Sequence, residues 1–283
     1  MNLRAPLIKR LIKLAIDEDL QGGDITTELT VLGDVNCEGL IVAREDFTVC
    51  GLELIPVIYE VLGWSVECEF LSYDGRRVKA EEILVRLRGN IRHLLSSERI
   101  VLNFLQRLSG VATYTREVVS KAGRITVMDT RKTTPGWRLL EKYAVKVGGG
   151  RNHRASLGEL ILVKNNHIDF NEGSLTRTLE RVKDGKPPFM PVEVEVRTQA
   201  ELKEALDFCP DIVMLDNMDD EQIRAALKLV NTKAPDTLVE VSGGITPERF
   251  AELEKLGVKY VSIGALTNKA TSVDISMRLG EVQ

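Results

Sequence analysis

The feature that most limits the possible folds is a series of six short apolar segments in the second half of the chain. They read RITVMD, ELILVK, PVEVEV, DIVMLD, TLVEVS and KYVSIG. Each is followed by a polar loop and usually by a helical pattern, which is the rhythm of β/α repeats. The pattern predicts parallel strands that close into a barrel.

The same segments predict where the chemistry lies, because nearly all of them end on a polar residue or a glycine. In a β/α barrel the carboxyl ends of the strands open onto one face, which carries the active site. The residues expected to meet there are Asp129 with Arg131 and Lys132, then Lys164, Glu195, Asp216, Ser242 with Gly243 and Gly244, and Gly264. Eight complete β/α units take roughly 250 residues and this region has about 160, so an incomplete barrel is expected.

The first half of the chain has a different pattern. An amphipathic helix is expected in PLIKRLIKLAIDEDL, and short β-type runs with one helix-like stretch follow from about Asn36 to Gly89. A long helical zone comes next, in which Ser96 or Ser97 is a candidate N-cap and Gly110 a candidate interruption. The predicted division is an N-terminal α/β sandwich over 1–110, a barrel over 111–270, and a C-terminal helix over 271–283 that returns to the N-terminal domain.

Composition excludes several functional classes. The 283 residues carry a formal net charge of -4 and are 43% hydrophobic. An acidic chain lacks the basic face that nucleic acids and anionic lipid surfaces require, so neither partner is expected. Four scattered cysteines without zinc spacing, and no run of 18 apolar residues, predict a cytoplasmic protein with reduced thiols.

One segment contradicts this acidic average. Between Asp129 and Lys164 there are eight Arg and Lys against three Asp and Glu, a local charge of +5. Charge runs are usually solvated helix faces, and that interpretation suits Arg138, Lys142 and Lys146. It does not suit cations at strand ends or beside a glycine run, and these are expected to bind a small anionic ligand. They are Arg131, Lys132, Arg154 and Lys164, with His153 between them, whereas His93 and His167 are expected to be structural.

Two further strand ends complete the predicted site. In VSGGITPERF the backbone amides of Ser242–Gly243–Gly244 and a helix starting near Thr246–Pro247 suit a phosphate group, although two glycines can also serve only a tight turn. Glu195 and Asp216 can bind magnesium, directly or through water, or stabilise a cationic transition state. They can also simply neutralise nearby cations. Glu193 lies on the same side of its strand as Glu195.

Read together, these motifs resemble the quinolinate phosphoribosyltransferase family. The resemblance covers nearly the whole chain. It rests on DEDLQGGDITT, ERIVLNFLQRLSGVAT, DTRKTTPG, EKYAVKVGGGRNHR, LVKNNH, VEVEV, LDN and VSGGI, in the family's order. It implies an N-terminal open α/β sandwich, a seven-stranded α/β barrel and a homodimer, with hexamers also found in the family. It further implies that Arg99 reaches across the dimer interface to the substrate.

The resemblance also assigns roles to single residues. It implies a quinolinate site of Arg99, Arg131, His153, Arg154 and Lys164. It implies a phosphoribosyl pyrophosphate site of Thr130, Lys132, Glu195, Asp216, Ser242, Gly243, Gly244, Ile263, Gly264 and Ala265. Glu195, Asp216, Lys132 and Lys164 are the implied catalytic residues, and Mg²⁺ near Glu195 and Asp216 is the implied cofactor.

The implied reaction joins quinolinate to phosphoribosyl pyrophosphate and releases pyrophosphate and carbon dioxide, giving nicotinate mononucleotide for NAD biosynthesis. Three alternatives stay open at this point. The chain can be a nicotinate phosphoribosyltransferase, the similar protein of molybdenum-transport loci, or a sensor that binds a phosphosugar without catalysis. The number of cations around His153 favours a di-acid substrate over nicotinate.

Overall fold

The chain folds into two compact units in the computed structural model, which describes residues 2–282. One unit contains the residues up to Glu117, the segment Thr133–Gly149 and the residues from Ala265 on. The other contains Val118–Lys132 and Gly150–Gly264. The units are therefore discontinuous in sequence, unlike the simple division expected at 110 and 270.

The first unit is built on antiparallel strands and their covering helices. Its strands are β1 (Asn36–Ala43), β2 (Phe47–Thr48), β3 (Val66–Phe70), β4 (Arg77–Val78), β5 (Ile83–Asn90) and β12 (Ile275–Val282). Its helices are α1 (Pro6–Leu20), α2 (Ile25–Thr30), α3 (Leu54–Leu62), most of α4 (Ile91–Ser120), α5 (Arg138–Val147) and α11 (Ala265–Asn268). The main sheet has the order β12-β1-β5-β3, and β2 pairs with β4.

The last residues form a strand and not the expected helix. Ile275, Met277 and Leu279 alternate with more polar positions, which is the period of a strand with one buried face. Strand β12 pairs with β1 in antiparallel register, with Ile275 opposite Ala43. The C-terminal segment thus completes the sheet of the first unit.

Helix α4 differs from its expected form at two points. It begins at Ile91 because Asn90 accepts a hydrogen bond from the Arg92 amide at 2.9 Å, which is N-cap behaviour. Ser97 lies inside the helix, where its hydroxyl donates to the His93 carbonyl at 2.7 Å. Gly110 does not interrupt the helix. A Cβ there would come within 1.9 Å of the Thr271 carbonyl oxygen, so close backbone approach explains the glycine.

The segment Thr133–Gly149 belongs to the first unit because α5 is buried there on most sides. Trp137 stacks on Phe104 with ring centroids 4.8 Å apart. Glu141 is fully buried and accepts hydrogen bonds from Arg107 Nη2 at 2.5 Å and from the Thr134 amide at 3.0 Å. Lys142 is buried as well, which corrects its expected place on a solvated face, whereas Lys146 is exposed.

The second unit has a parallel sheet whose strands are the six predicted from the apolar segments. They are β6 (Thr126–Met128), β7 (Ile161–Val163), β8 (Val192–Val196), β9 (Ile212–Asp216), β10 (Leu238–Ser242) and β11 (Tyr260–Ser262). Their order is β6-β11-β10-β9-β8-β7, so the first strand of the unit lies beside the last. The helices are α6 (Asn165–Phe170), α7 (Leu175–Gly185), α8 (Gln199–Leu206), α9 (Asp220–Lys233) and α10 (Phe250–Leu256).

A seventh strand, implied by the resemblance, does not appear in this sheet over residues 2–282. At the other edge of β6, Arg151 alone forms an isolated parallel bridge with Met128. The bridge does not lengthen because the next groups, the Asn152 side chain and the His153 amide, bond to the Asp129 carboxylate. Among the described helices none is long and apolar enough to cross a membrane.

Candidate active site

A cavity of about 610 Å³ opens at the carboxyl ends of the strands in the second unit. Its lining brings together most of the residues predicted from the strand ends. They are Thr130, Arg131, Lys132, His153, Arg154, Lys164, Glu195, Asp216, Ser242, Gly243 and Gly244. The prediction that separate strands direct these residues to one place is confirmed, and their individual roles stay predictions.

Four predicted residues do not line this cavity. Gly264 lies directly behind it, since a Cβ at this position would come within 2.8 Å of Lys132 Cδ. Ile263 is buried next to it, and Ala265 belongs to the first unit. Arg99 is exposed on α4 in the first unit.

Arg131 and Arg154 form a cationic wall of the cavity, and a buried carboxylate holds this wall in place. Asp129, at the end of β6, is fully buried and accepts hydrogen bonds from Asn152 Nδ2 at 2.7 Å and from the His153 amide at 2.9 Å. Arg131 lies two residues after Asp129, and Arg154 directly follows His153. The bonds of Asp129 therefore fix the backbone next to both arginines. Asp129 is therefore a positioning residue.

Arg131 and Arg154 are close enough to disturb each other. Burial, and then the neighbouring charge of Arg131, hold the pKa of the Arg154 guanidinium below its usual value, while the charge of Glu193 opposes this shift. Arg154 Nη1 also donates to the Leu160 carbonyl at 2.9 Å, which orients the guanidinium. Two adjacent guanidinium groups beside a cavity are well suited to a ligand with more than one carboxylate.

The acidic side of the cavity comes from strands β8 and β9. Glu195 is mostly buried and forms an ion pair with Lys164. Asp216 accepts a hydrogen bond from Asn217 Nδ2 at 2.9 Å, so its carboxylate is oriented by the next residue. Both offer hard oxygen ligands to the same cavity, and this donor set fits Mg²⁺, which usually takes one or two carboxylates together with substrate phosphates.

The glycine turn after β10 packs closely against Asn217. Asn217 has a left-handed backbone, with φ of 55°, and its amide donates to the Ser242 carbonyl at 3.0 Å. Gly243 also has a positive φ, and a Cβ there would lie 2.3 Å from Asn217 Oδ1. The following helix starts at the expected place. Its first turn, Pro247–Arg249, is a 3₁₀ helix with Thr246 at the N-cap, and α10 continues from Phe250.

Several functional neighbours were missed by sequence reasoning. Leu162, Met214, Asn217 and Ser262 also line the cavity. Of these four residues, only Asn217 could have been recognised in the sequence, because it directly follows a strand-end aspartate. His93 and His167 have structural contacts, as expected: His93 stacks on Trp64 at 4.5 Å, and His167 Nδ1 accepts from the Lys164 amide at 2.9 Å.

Two buried glutamates lie beneath the cationic wall. His153 Nε2 is 3.1 Å from Glu193 Oε2 and 3.5 Å from Glu240 Oε2. Burial, and then the charge of Glu193, raise the pKa of Glu240 to about 7, whereas His153, Ser262 and Lys164 favour its charged form. The sequence indicated that Glu193 lies on the same side of its strand as Glu195 but not that Glu240 would lie near Glu193.

Comparison with known proteins identifies the family. A family model described as the quinolinate phosphoribosyl transferase C-terminal domain matches residues 111–278, and one described as its N-terminal domain matches residues 24–109. The chain belongs to the quinolinate phosphoribosyl transferase family. The confirmed membership agrees with the mixed α/β fold of the two units.

Individual relatives cover almost the entire chain. The probable carboxylating nicotinate-nucleotide pyrophosphorylase of Bacillus subtilis is 38% identical over 272 residues, which are 95% of this chain and 92% of the relative. That of Methanocaldococcus jannaschii is 36% identical, over 97% of this chain and 98% of the relative. The crystal structure of NadC from Streptococcus pyogenes has a TM-score of 0.90 at 37% identity and covers 96% of both chains.

The packing of the glycine turn generates a prediction for a matched pair of variants. Gly243 and Gly244 both have positive φ, so alanine at either costs roughly 1 to 2 kcal/mol in backbone strain. A Cβ at Gly243 would collide with the side chain of Asn217, whereas nothing lies within 4 Å of a Cβ at Gly244. We expect Gly243→Ala to lose about 1 to 3 kcal/mol more than Gly244→Ala in urea unfolding. Equal losses would contradict this packing.

The raised pKa of Glu240 predicts a pH-dependent stability. The folded state holds this proton up to a pH of about 7, against 4.5 for an unperturbed glutamate, so the free energy of unfolding falls as pH rises between these values. Glutamine has no carboxyl group to ionise, so Glu240→Gln removes this fall in the free energy of unfolding. We expect the variant to be more stable than wild type at pH 8, by on the order of 1 to 3 kcal/mol, and to lose this advantage towards pH 5.

Urea unfolding at the two pH values measures the effect. Glu252→Gln is the matched control, since Glu252 lies at the surface of the same unit and contacts Lys255. A Glu240→Gln variant with the same advantage at pH 5 and pH 8 would contradict the assignment.

Proposed function

We propose that this protein transfers the phosphoribosyl group of phosphoribosyl pyrophosphate to quinolinate, with loss of pyrophosphate and carbon dioxide, to form nicotinate mononucleotide in NAD biosynthesis. The observation that carries the proposal is one cavity lined both by Arg131, Arg154 and Lys164 and by Asp216 and the Ser242–Gly244 turn. Its walls offer cations to a di-acid and backbone amides to a phosphate. Membership of the family supports the same assignment.

The cationic wall would bind the two pyridine carboxylates. Arg131 and Arg154 are partly buried, so their pairs with carboxylates would be charge-assisted hydrogen bonds in a site of reduced water content. Holding both carboxylates fixes the ring in one orientation and directs its nitrogen at the sugar carbon. Lys164, now paired with Glu195, would exchange part of this contact for the substrate.

The acidic side of the cavity, formed by Glu195 and Asp216, would stabilise the sugar as its bond to pyrophosphate breaks. The anomeric carbon then gains positive charge, which Glu195 and Asp216 would stabilise electrostatically. Lys132 would neutralise part of the negative charge on the leaving group. Bound Mg²⁺, held by Glu195 and Asp216 directly or through water, would supply further neutralisation of the pyrophosphate.

Decarboxylation would follow from the first step without another cofactor. Once the ring nitrogen is bonded to the sugar it carries a positive charge. When the bond to the adjacent carboxylate breaks, its electron pair is drawn toward that nitrogen and carbon dioxide leaves. A proton then takes the vacated ring position. The other carboxylate stays on the product, where the guanidinium groups continue to hold it.

Two arrangements around this site are part of the proposal. The protein would act as a homodimer in which Arg99 of one subunit completes the quinolinate site of the other. The exposure of Arg99, and that of Ile25, Leu29 and Leu32 at 65%, 76% and 85%, support an interface on the first unit. We place the protein in the cytoplasm, in agreement with its unpaired cysteines.

Release of labelled carbon dioxide tests the reaction. We expect release from quinolinate that requires both phosphoribosyl pyrophosphate and Mg²⁺, and little competition from nicotinate. Arg131→Ala should lower kcat/KM by the equivalent of about 2 to 5 kcal/mol, because a buried charge-assisted pair is lost. Lys146→Ala is the control, since Lys146 is exposed on α5 of the first unit. Equal use of nicotinate, or binding without pyrophosphate release, would refute the assignment.

Subunit mixing tests the role of Arg99. Arg99→Ala and Arg131→Ala should each be nearly inactive alone. Exchange of subunits would create dimers with one intact site, restoring about a quarter of the wild-type sites if mixing is random. Mixtures of Arg131→Ala and Arg154→Ala provide the control and should stay inactive, because both residues line the same cavity. Equal restoration in the two mixtures, or in neither, would remove Arg99 from the partner's site.

A further inference from the structure

Two glutamates lie buried under the cavity with few polar contacts. The side chain of Glu193 is 0% exposed and that of Glu240 is 2% exposed. Apart from the contact with His153, both oxygens of Glu193 and Oε1 of Glu240 are buried without a hydrogen-bond partner. Burying a carboxylate in this way is costly, and an apolar residue would pack better in the interior of this unit. A functional reason is therefore needed.

The ring of His153 shows what the glutamates do. Its Nδ1 accepts a hydrogen bond from the Arg154 amide at 2.7 Å, so the proton of the neutral ring lies on Nε2. Nε2 is the atom that faces Glu193 at 3.1 Å and Glu240 at 3.5 Å. Both ring nitrogens are thus occupied within the protein, although the residue lines the cavity.

The spacing of these three residues also fits a metal ion, since one ligand atom from each lies within 4.8 Å of the others. The tautomer argues against this. A histidine that binds a metal through one nitrogen usually donates a hydrogen bond from the other. Here the other nitrogen accepts one, so a metal on Nε2 would require an imidazolate ring. A proton on Nε2 suits the contacts without that cost.

One of these carboxylates also acts on a guanidinium group that lines the cavity. The charge of Glu193 favours the charged form of Arg154, against burial and the repulsion of Arg131. Without a nearby negative charge, the guanidinium groups of Arg131 and Arg154 would repel each other. Glu193 thus supplies a counter-charge to Arg154 before any ligand arrives.

We propose that Glu193 and Glu240 are positioning residues of the quinolinate half of the site, which lock His153 as its Nε2–H tautomer and, through the hydrogen bond from the Arg154 amide to Nδ1 of that ring, hold Arg154 in place. His153 then acts through its fixed ring and backbone and does not act as a cationic anchor. The inference rests on the proposed function for the identity of the ligand. The tautomer itself does not depend on that identity.

Nitrogen-15 NMR of the histidine side chains tests the first part in the unliganded wild-type protein. The chain has three histidines, and the spectrum of His153→Gln identifies the signals of His153. We expect a protonated Nε2 and a Nδ1 shifted as a hydrogen-bond acceptor. A proton on Nδ1, or on both nitrogens, would overturn the proposal whatever reaction the protein catalyses.

Kinetics of Glu193→Gln and Glu240→Gln test the second part. Glutamine keeps the shape of the side chain and removes its charge, so folding should be retained and is checked by thermal unfolding. We expect the KM for quinolinate to rise about 10- to 100-fold in Glu193→Gln, because the charged group that faces His153 Nε2 is lost. Glu240→Gln should change it in the same direction by less.

The split between substrates separates positioning from general damage. The KM for phosphoribosyl pyrophosphate should change by less than about threefold, and Glu252→Gln should leave both constants unchanged. Equal rises for both substrates, or no rise for quinolinate in either variant, would overturn the proposal. If wild type does not consume quinolinate, the proposed function fails, and the tautomer measurement still decides the positioning role.

Discussion

The carboxylate of Asp129 is the contact on which the site depends. It is fully buried, and its donors include the Asn152 side chain and the His153 amide. Because Asp129 directly follows β6, these bonds tie the end of the strand to the segment that carries His153 and Arg154. Arg131 and Lys132 follow Asp129 along the chain. Asp129 thus fixes the chain segment of Arg131 relative to that of Arg154, and both arginines line the cavity.

Charge balance around the cavity follows from this arrangement. Arg131 and Arg154 repel each other, and the buried charge of Glu193 partly offsets the repulsion from the interior side. Lys164 and Glu195 form a separate ion pair that also lines the cavity. A ligand with two carboxylates would relieve the repulsion from the cavity side. The cations are therefore already in position when a negatively charged ligand binds. Binding then costs less free energy than it would if water had to reorganise around the charge.

The sequence allowed the strands and their ends to be predicted because buried parallel strands form continuous apolar runs. Every strand of the second unit coincides with such a run. The partner of Glu193 was not predictable in the same way. Alternation shows that Glu193 lies on the same side of its strand as Glu195, but the proximity of Glu240 depends on the order of strands across the sheet. Similarly, the strand at Ile275–Val282 depends on pairing with β1, more than 200 residues away.

Asn217 shows how local strain can connect two parts of a site. Its left-handed backbone lets its amide bond to Ser242 in the next strand while its side chain donates to Asp216. Asparagine tolerates this conformation better than most residues, and Gly243 leaves room for its side chain. The orientation of Asp216 is consequently tied to the shape of the glycine turn. A change in either is transmitted to the other, so the Asp216 carboxylate and the backbone amides of the glycine turn form one unit.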